Sequence, residues 1–212
     1  MPRSETTQER LLKAAADAID KGGEAAVKIR EIAKKGNVTA PSVYHFFGSR
    51  EGLVEAALAY RYLRGLATIG DDFSTAVHRA KSKVEFTKIA HSFIALTFAR
   101  ERIHIRKTRV NVLGSAQYRP SLSKELARAQ DAANKNVGET LRYAQSKGWI
   151  RKDFDPEMFA AWFTGMAHAR LLIELDGEHS RARNWDVIAL RSVCQALGIA
   201  EPIKKKRTTR AS

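Results

Sequence analysis

The sequence predicts an all-α protein, with an N-terminal three-helix helix-turn-helix domain followed by a larger helical domain. Three observations carry this. Apolar residues recur at i, i+3 and i+4 through most of the chain, the signature of helices with one buried face. Five prolines and thirteen glycines are spread thinly, and no alternating run is bounded by hairpin turns, as strands would require. Finally, two short helical patterns meet at a Gly-Asn turn within Ile29–Phe47.

Taken in order, the segment from Thr7 to Gly23 reads as an opening helix with a glycine stop. Ile29, Ile32 and Ala33 then define a short amphipathic helix over about Lys28–Lys35. Gly36-Asn37 ends it, since both residues tolerate left-handed backbone. Val38 plugs the turn, and Thr39 is the expected N-cap of the next helix, its hydroxyl accepting from an orphan amide. Pro41 falls in the first turn of that helix, where a missing N–H does no harm. Val43 and Phe47 form its buried side, leaving Ala40, Pro41, Ser42, Tyr44 and His45 outward. Gly48-Ser49 closes it, and Ser49 caps a helix continuing through Leu53–Leu66. A polar stretch near Gly70–Ser74 reads as a loop. Further helices are expected over Lys81–Phe98, Ile103–Leu113, Pro120–Lys147, Asp155–Leu175 and Asn184–Leu197, and the chain beyond Pro202, low in apolar residues, is expected to be disordered.

The block from Thr7 to Leu58 resembles the DNA-binding domain of the tetracycline-repressor (TetR) family. The resemblance rests on Ile32-Ala33, Val38-Thr39, Tyr44-His45-Phe46-Phe47, and Arg50 before Glu51 and Leu53, in order and spacing over roughly fifty residues. Gly36-Asn37 stands where the family usually has Ala-Gly, and Ala40-Pro41 where it often has a polar residue and glycine. A second, looser likeness covers Leu141–Leu175: Gly148, an apolar pair Trp149-Ile150, basic and acidic residues to Asp153, then Asp155-Pro156 and a long apolar helix. The resemblance implies a DNA-binding domain over 1–52, an effector-binding and dimerisation domain over 53–200, and a basic tail over 201–212.

It also implies roles. Lys28, Thr39 and Arg50 are expected at phosphates, Ser42, Tyr44 and His45 at the major groove or its rim, and Ala40 and Pro41 in apolar contact with a thymine methyl. The family places a homodimer interface on its last two helices. Phe159, Trp162, Phe163, Met166, Arg170 and Ile173 wrap more than one face of the helix after Pro156, and a helix apolar on several faces needs several partners. The family holds a small-molecule effector among its middle helices; Phe93, Leu96, Thr97, Arg100, His104, Tyr143 and Trp162 are the candidates, and their composition suits a plain core equally.

Composition agrees with a nucleic-acid partner: the formal charge is +14 and the isoelectric point about 10.1. The excess is not confined to the first fifty residues but recurs at Arg100–Arg109 and in the tail from Lys204. With no N-terminal apolar run and no long apolar stretch, a cytoplasmic location and no membrane contact are expected. The lone Cys194 reads as a small buried hydrophobe. Six histidines show no metal spacing, and neither a phosphate loop nor a G-x-S-x-G occurs, so no enzyme, metal or cofactor is expected. Glu174, Asp176, Glu178 and His179 read as a solvated acidic patch. The expected function is a sequence-specific transcriptional regulator, a repressor released from a palindromic operator by an unknown effector. An activator of the same fold and a non-specific architectural DNA-binding protein stay open as alternatives.

Overall fold

The computed structural model describes residues 5–64, 67–175 and 180–202. Within these the chain forms ten α-helices and no strand. They fall into two compact units, one made of residues 1–67 with 107–132, the other of 68–106 with 133–212.

The first unit begins with α1 (Thr7–Gly22), closed at its start by a reciprocal cap. The Glu9 N–H donates to Thr6 Oγ1 at 3.1 Å and the Thr6 N–H to Glu9 Oε2 at 2.7 Å, satisfying two orphan amides. A 3-10 turn at Glu24–Ala26 leads into α2 (Ile29–Lys35), α3 (Ala40–Phe47) and α4 (Arg50–Leu63). α1 packs along α4, and α3 packs on both α2 and α4. Leu11, Ile32, Val43, Leu53 and Leu58 are all essentially buried in one cluster. Each such side chain contributes about 1.5–3 kcal/mol by leaving water. The unit does not stop at residue 52, because Val54, Ala57, Leu58 and Tyr62 of α4 belong to this same core. Val112 from α7 (Ile103–Ala116) and Leu122 and Leu126 from α8 (Pro120–Ser146) complete it.

The second unit holds α5 (Ala67–Arg79), α6 (Lys83–Thr97), the later part of α8, α9 (Pro156–Ala169) and α10 (Ser180–Leu197). Phe73, Phe86, Ile94, Leu141, Phe163 and Val193 are buried together. Phe93 stacks on Phe73 at 4.3 Å and on Phe163 at 5.5 Å between ring centroids. Asp155 caps α9, its Oδ1 accepting from the Glu157 and Met158 amides at 2.8 and 2.9 Å.

Several boundaries differ from expectation. The polar stretch Gly70–Ser74 is helical, within α5: Phe73 and Val77 supply a buried stripe that outweighs Gly-Asp-Asp, and Asn136 of α8 donates to Asp71 at 2.8 Å. Gly114 lies inside α7. α9 ends at Ala169, where the chain tightens into a 3-10 turn at Arg170–Ile173. The tail from residue 203, with Asp176, Glu178 and His179 of the acidic patch, lies outside the described residues. Among the described residues no helix is long and apolar enough to cross a membrane.

Candidate nucleic-acid interface

The turn between α2 and α3 is built from three backbone bonds. The Gly36 N–H donates to the Ile32 carbonyl at 2.9 Å, the Asn37 N–H to Lys34 at 3.2 Å, and the Val38 N–H to Ala33 at 3.0 Å. The bond spanning Ala33 to Val38 is the closing bond of a Schellman ending, with the left-handed residue just before Val38. That residue is Asn37, at φ 54°. Gly36 has ordinary helical backbone (φ −78°) and is glycine for another reason. A Cβ there would sit 2.5 Å from Leu11 Cδ2, so its small size lets the turn rest on α1. Val38 closes the turn from inside, half-buried against the core.

Thr39 occupies the N-cap of α3, but its hydroxyl makes no capping bond. It lies 3.0 Å from Ser42 Oγ instead, so the expected hydroxyl-to-amide bond is not formed. Pro41 stands in the first turn. Val43 is fully buried and Phe47 half-buried against the core, which anchors one side of α3. The opposite side carries Pro41, Tyr44 and His45 in solvent, with Ala40 and Ser42 half-exposed. Tyr44 is 48% exposed and its neighbour Phe46 41%. Large aromatic area in water on a rigidly held eight-residue helix is a surface shaped for contact.

The two expected phosphate cations behave differently. Lys28 caps α2 by position and is solvent-exposed, with Glu31 at 3.5 Å. Arg50 is turned inward: Nε donates to the Val27 carbonyl at 3.0 Å and Nη2 to the Glu24 carbonyl at 2.6 Å. Its Nη1 donates to both carboxylate oxygens of Glu51, at 2.8 and 3.1 Å. Arg50 therefore ties the start of α4 to the 3-10 turn ahead of α2. Ser49 caps α4 as expected, accepting from the Gly52 N–H at 2.9 Å. Gly52 itself is obligatory, because a Cβ would lie 2.1 Å from the Phe47 carbonyl oxygen.

Sequence reasoning missed the ties that brace this base. Glu24 accepts a bidentate pair from Arg119, at 3.1 Å and 2.5 Å. Arg61 holds Asp20, Nε to Oδ1 at 3.0 Å, joining α4 to α1. Tyr62 donates to Gln130 Oε1 at 2.8 Å, and Arg109 donates to that same oxygen, also at 2.8 Å. These partners are 21 to 95 residues apart, so no local spacing announces them.

The seven residues expected around an effector do not converge. Phe93 lines a cavity of only about 20 Å³ in the second core, room for about one water. Leu96 and His104 are exposed, and the Thr97 hydroxyl donates to the Phe93 carbonyl at 2.8 Å. Tyr143 stacks on His78 at 4.5 Å between centroids. Trp162 is 44% exposed. Arg100 alone borders a larger cavity, of about 590 Å³, between α6 and α10.

The six expected interface residues divide. Trp162 is exposed, and Phe159, Met166 and Ile173 are half-buried. Phe163 and Arg170 are instead interior. Phe163 packs among Phe93 and Phe98. Arg170 is 3% exposed and donates to Asp186 at 2.7 and 3.1 Å. It also pairs with Glu174, which Arg106 grips through Nε and Nη2 at 2.8 and 2.6 Å. These carboxylates hold the Arg170 guanidinium in its charged form against the opposing effect of burial. Cys194 is buried, and burial pushes its thiol above the ordinary range. Among the described residues no cluster of His, Cys, Asp or Glu could hold a metal.

A helix, a tight left-handed turn and a second helix with an exposed polar and aromatic face, set on a braced helical base, define a helix-turn-helix DNA-binding unit. Residues 11–57 match the family described as bacterial regulatory proteins, tetR family. Over 175 residues the chain is 23% identical to the helix-turn-helix transcriptional regulator UidR of Escherichia coli, covering 82% of this chain and 84% of that one. The fold is shared with a TetR-family regulator from a Rhodococcus species, at TM-score 0.67 and 24% identity over 92% of this chain and all of the other. Salmonella enterica GusR gives TM-score 0.60 at 21% identity, over 91% of this chain and 95% of its own. Residues 11–57 thus carry the DNA-binding domain of the tetR family, and the chain is a DNA-binding transcriptional regulator.

Proposed function

We propose that the chain is a homodimeric, cytoplasmic repressor that reads a palindromic operator through α3 and leaves it when a small molecule binds. The observation that carries the DNA-reading part is the exposed face of α3, with Tyr44, His45 and Pro41 in solvent and Val43 buried behind them. In this reading Ser42, Tyr44 and His45 meet the groove or its rim, while Thr39 and Lys28 meet phosphates. Arg50, which also holds the Val27 and Glu24 carbonyls, keeps donors for a phosphate beside Lys28.

Dimerisation is supported by the apolar surface beside α9 and on α10. Met158, Trp162, Leu172 and Leu175 are exposed, as are Val187 and Ile188. Scattered exposed leucines need no explanation, but six large apolar side chains on two neighbouring stretches suit a subunit interface. A two-fold dimer would set its reading helices about 34–36 Å apart, one turn of DNA, and so favour a palindrome. Release follows if the effector prefers the conformation that does not fit DNA.

Genomic fragments captured by the purified protein, then compared by gel shift at rising salt, test the DNA-reading proposal. A selected fragment should keep its advantage over random duplex as salt rises. Uniform, salt-labile binding to every fragment would instead favour an architectural protein. Reporter expression from the recovered promoter in a deletion strain separates repressor from activator: expression should rise on deletion.

A further inference from the structure

The cavity of about 590 Å³ between α6 and α10 is within the size range of small-molecule sites. Its walls are mostly apolar, with Phe98 on one side and Val187 and Leu190 on the other. Its charges are unbalanced. Arg100, Arg170 and Arg183 line it with a single acid, Asp186, so three positive charges face one negative and two remain in excess. Arg170 and Asp186 satisfy each other through two hydrogen bonds, and the remaining Arg170 nitrogen goes to Glu174. The neighbouring His91 is also engaged, its Nε2 lying 2.8 Å from the Ala200 carbonyl. The excess therefore resides on Arg100 and Arg183, both solvent-exposed and neither in an ion pair among the described residues.

We propose that this cavity binds an organic monoanion with an apolar body. The acid group would sit at Arg100 and Arg183, and the apolar part against Phe98 and Leu190. Guanidinium groups suit a carboxylate or a sulfonate, which accept paired N–H donors. Neutral amphiphiles would gain the apolar contact alone, and cations would meet the excess positive charge. The cavity is distinct from the small aromatic void near Phe93, and of the seven residues expected around an effector only Arg100 lines it. This inference deepens the proposal that a small molecule controls the protein, and rests on it for any effect on DNA.

The test is calorimetry on the full-length protein with decanoate, decanol and decyltrimethylammonium, each below its micellar concentration. Decanoate should bind at least tenfold tighter than the other two. Arg183→Gln and Arg100→Gln, both exposed and in no ion pair among the described residues, should each weaken decanoate about tenfold while leaving decanol unchanged, with circular dichroism reporting an intact fold. Equal binding of the three probes, no binding of decanoate, or decanoate binding indifferent to both substitutions would overturn the site. A gel shift with the same probe separates this from effector control. Arginine-dependent binding that leaves DNA bound upholds the site and removes decanoate-like anions as releasing effectors. Release that persists at unchanged decanoate concentration in Arg183→Gln overturns the site and keeps effector control.

Discussion

At the scale of single residues, the turn between α2 and α3 separates two properties that sequence reading joins. Gly36 and Asn37 both look like turn residues, yet only Asn37 adopts left-handed backbone, at φ 54°. Gly36 is small because Leu11 lies against it. Asn37→Val should therefore destabilise the protein by about 1–2 kcal/mol, while Asn37→Gly should be near neutral, both measured by urea unfolding. Arg50 and Lys28 make a second contrast. Arg50→Ala removes donors to two backbone carbonyls and should lower stability by about 1–3 kcal/mol. Lys28→Ala should leave stability within about 0.5 kcal/mol, and lower the salt dependence of operator binding by about one counterion. Unfolding curves together with salt titrations of DNA binding check the pair, and a stability loss confined to Lys28→Ala would reverse the two roles.

At the scale of elements, legibility followed the range of the interactions. The reading segment was visible because its signals are local: the Ile32-Ala33 stripe, the turn residues, Pro41 in a first turn and Ser49 before Arg50 lie within about twenty residues. α5 was missed because Gly70-Asp71-Asp72 looks like a loop, and only packing of Phe73 and Val77 into a distant core makes it helical. Arg170 reads as an interface residue because it falls on an apolar helix; its i+4 neighbour Glu174 is within local range but reads as part of a solvated acidic patch, and Asp186 meets it only after folding. That buried network gives an element-scale prediction. Glu174 is 1% exposed and serves both Arg106 and Arg170. Glu174→Ala should cost about 3–5 kcal/mol, because it strands buried positive charge. A loss under about 1 kcal/mol in chemical denaturation would mean that water or a repacked acid replaces the carboxylate.

At the scale of the whole molecule, the reading helix and the apolar stretches near α9 and α10 belong to different compact units. One copy of an eight-residue helix contacts few base pairs; two copies related by a two-fold axis read a palindrome. Light scattering after size exclusion should give about twice the 23.6 kDa chain mass. Trp162→Glu together with Leu172→Glu should shift it toward the monomer, and a wild-type monomer at micromolar concentration would contradict the dimer. The most direct measurement of how this protein reads DNA is the affinity of Tyr44→Ala for the operator recovered by genomic selection, measured by fluorescence anisotropy beside a random duplex. Tyr44 is about half exposed and outside the core, so the variant should keep its fold and oligomeric state. Specific binding should fall at least tenfold while the weak, salt-sensitive binding to random DNA remains. Unchanged discrimination between operator and random duplex would contradict the assignment of α3 as the reading helix.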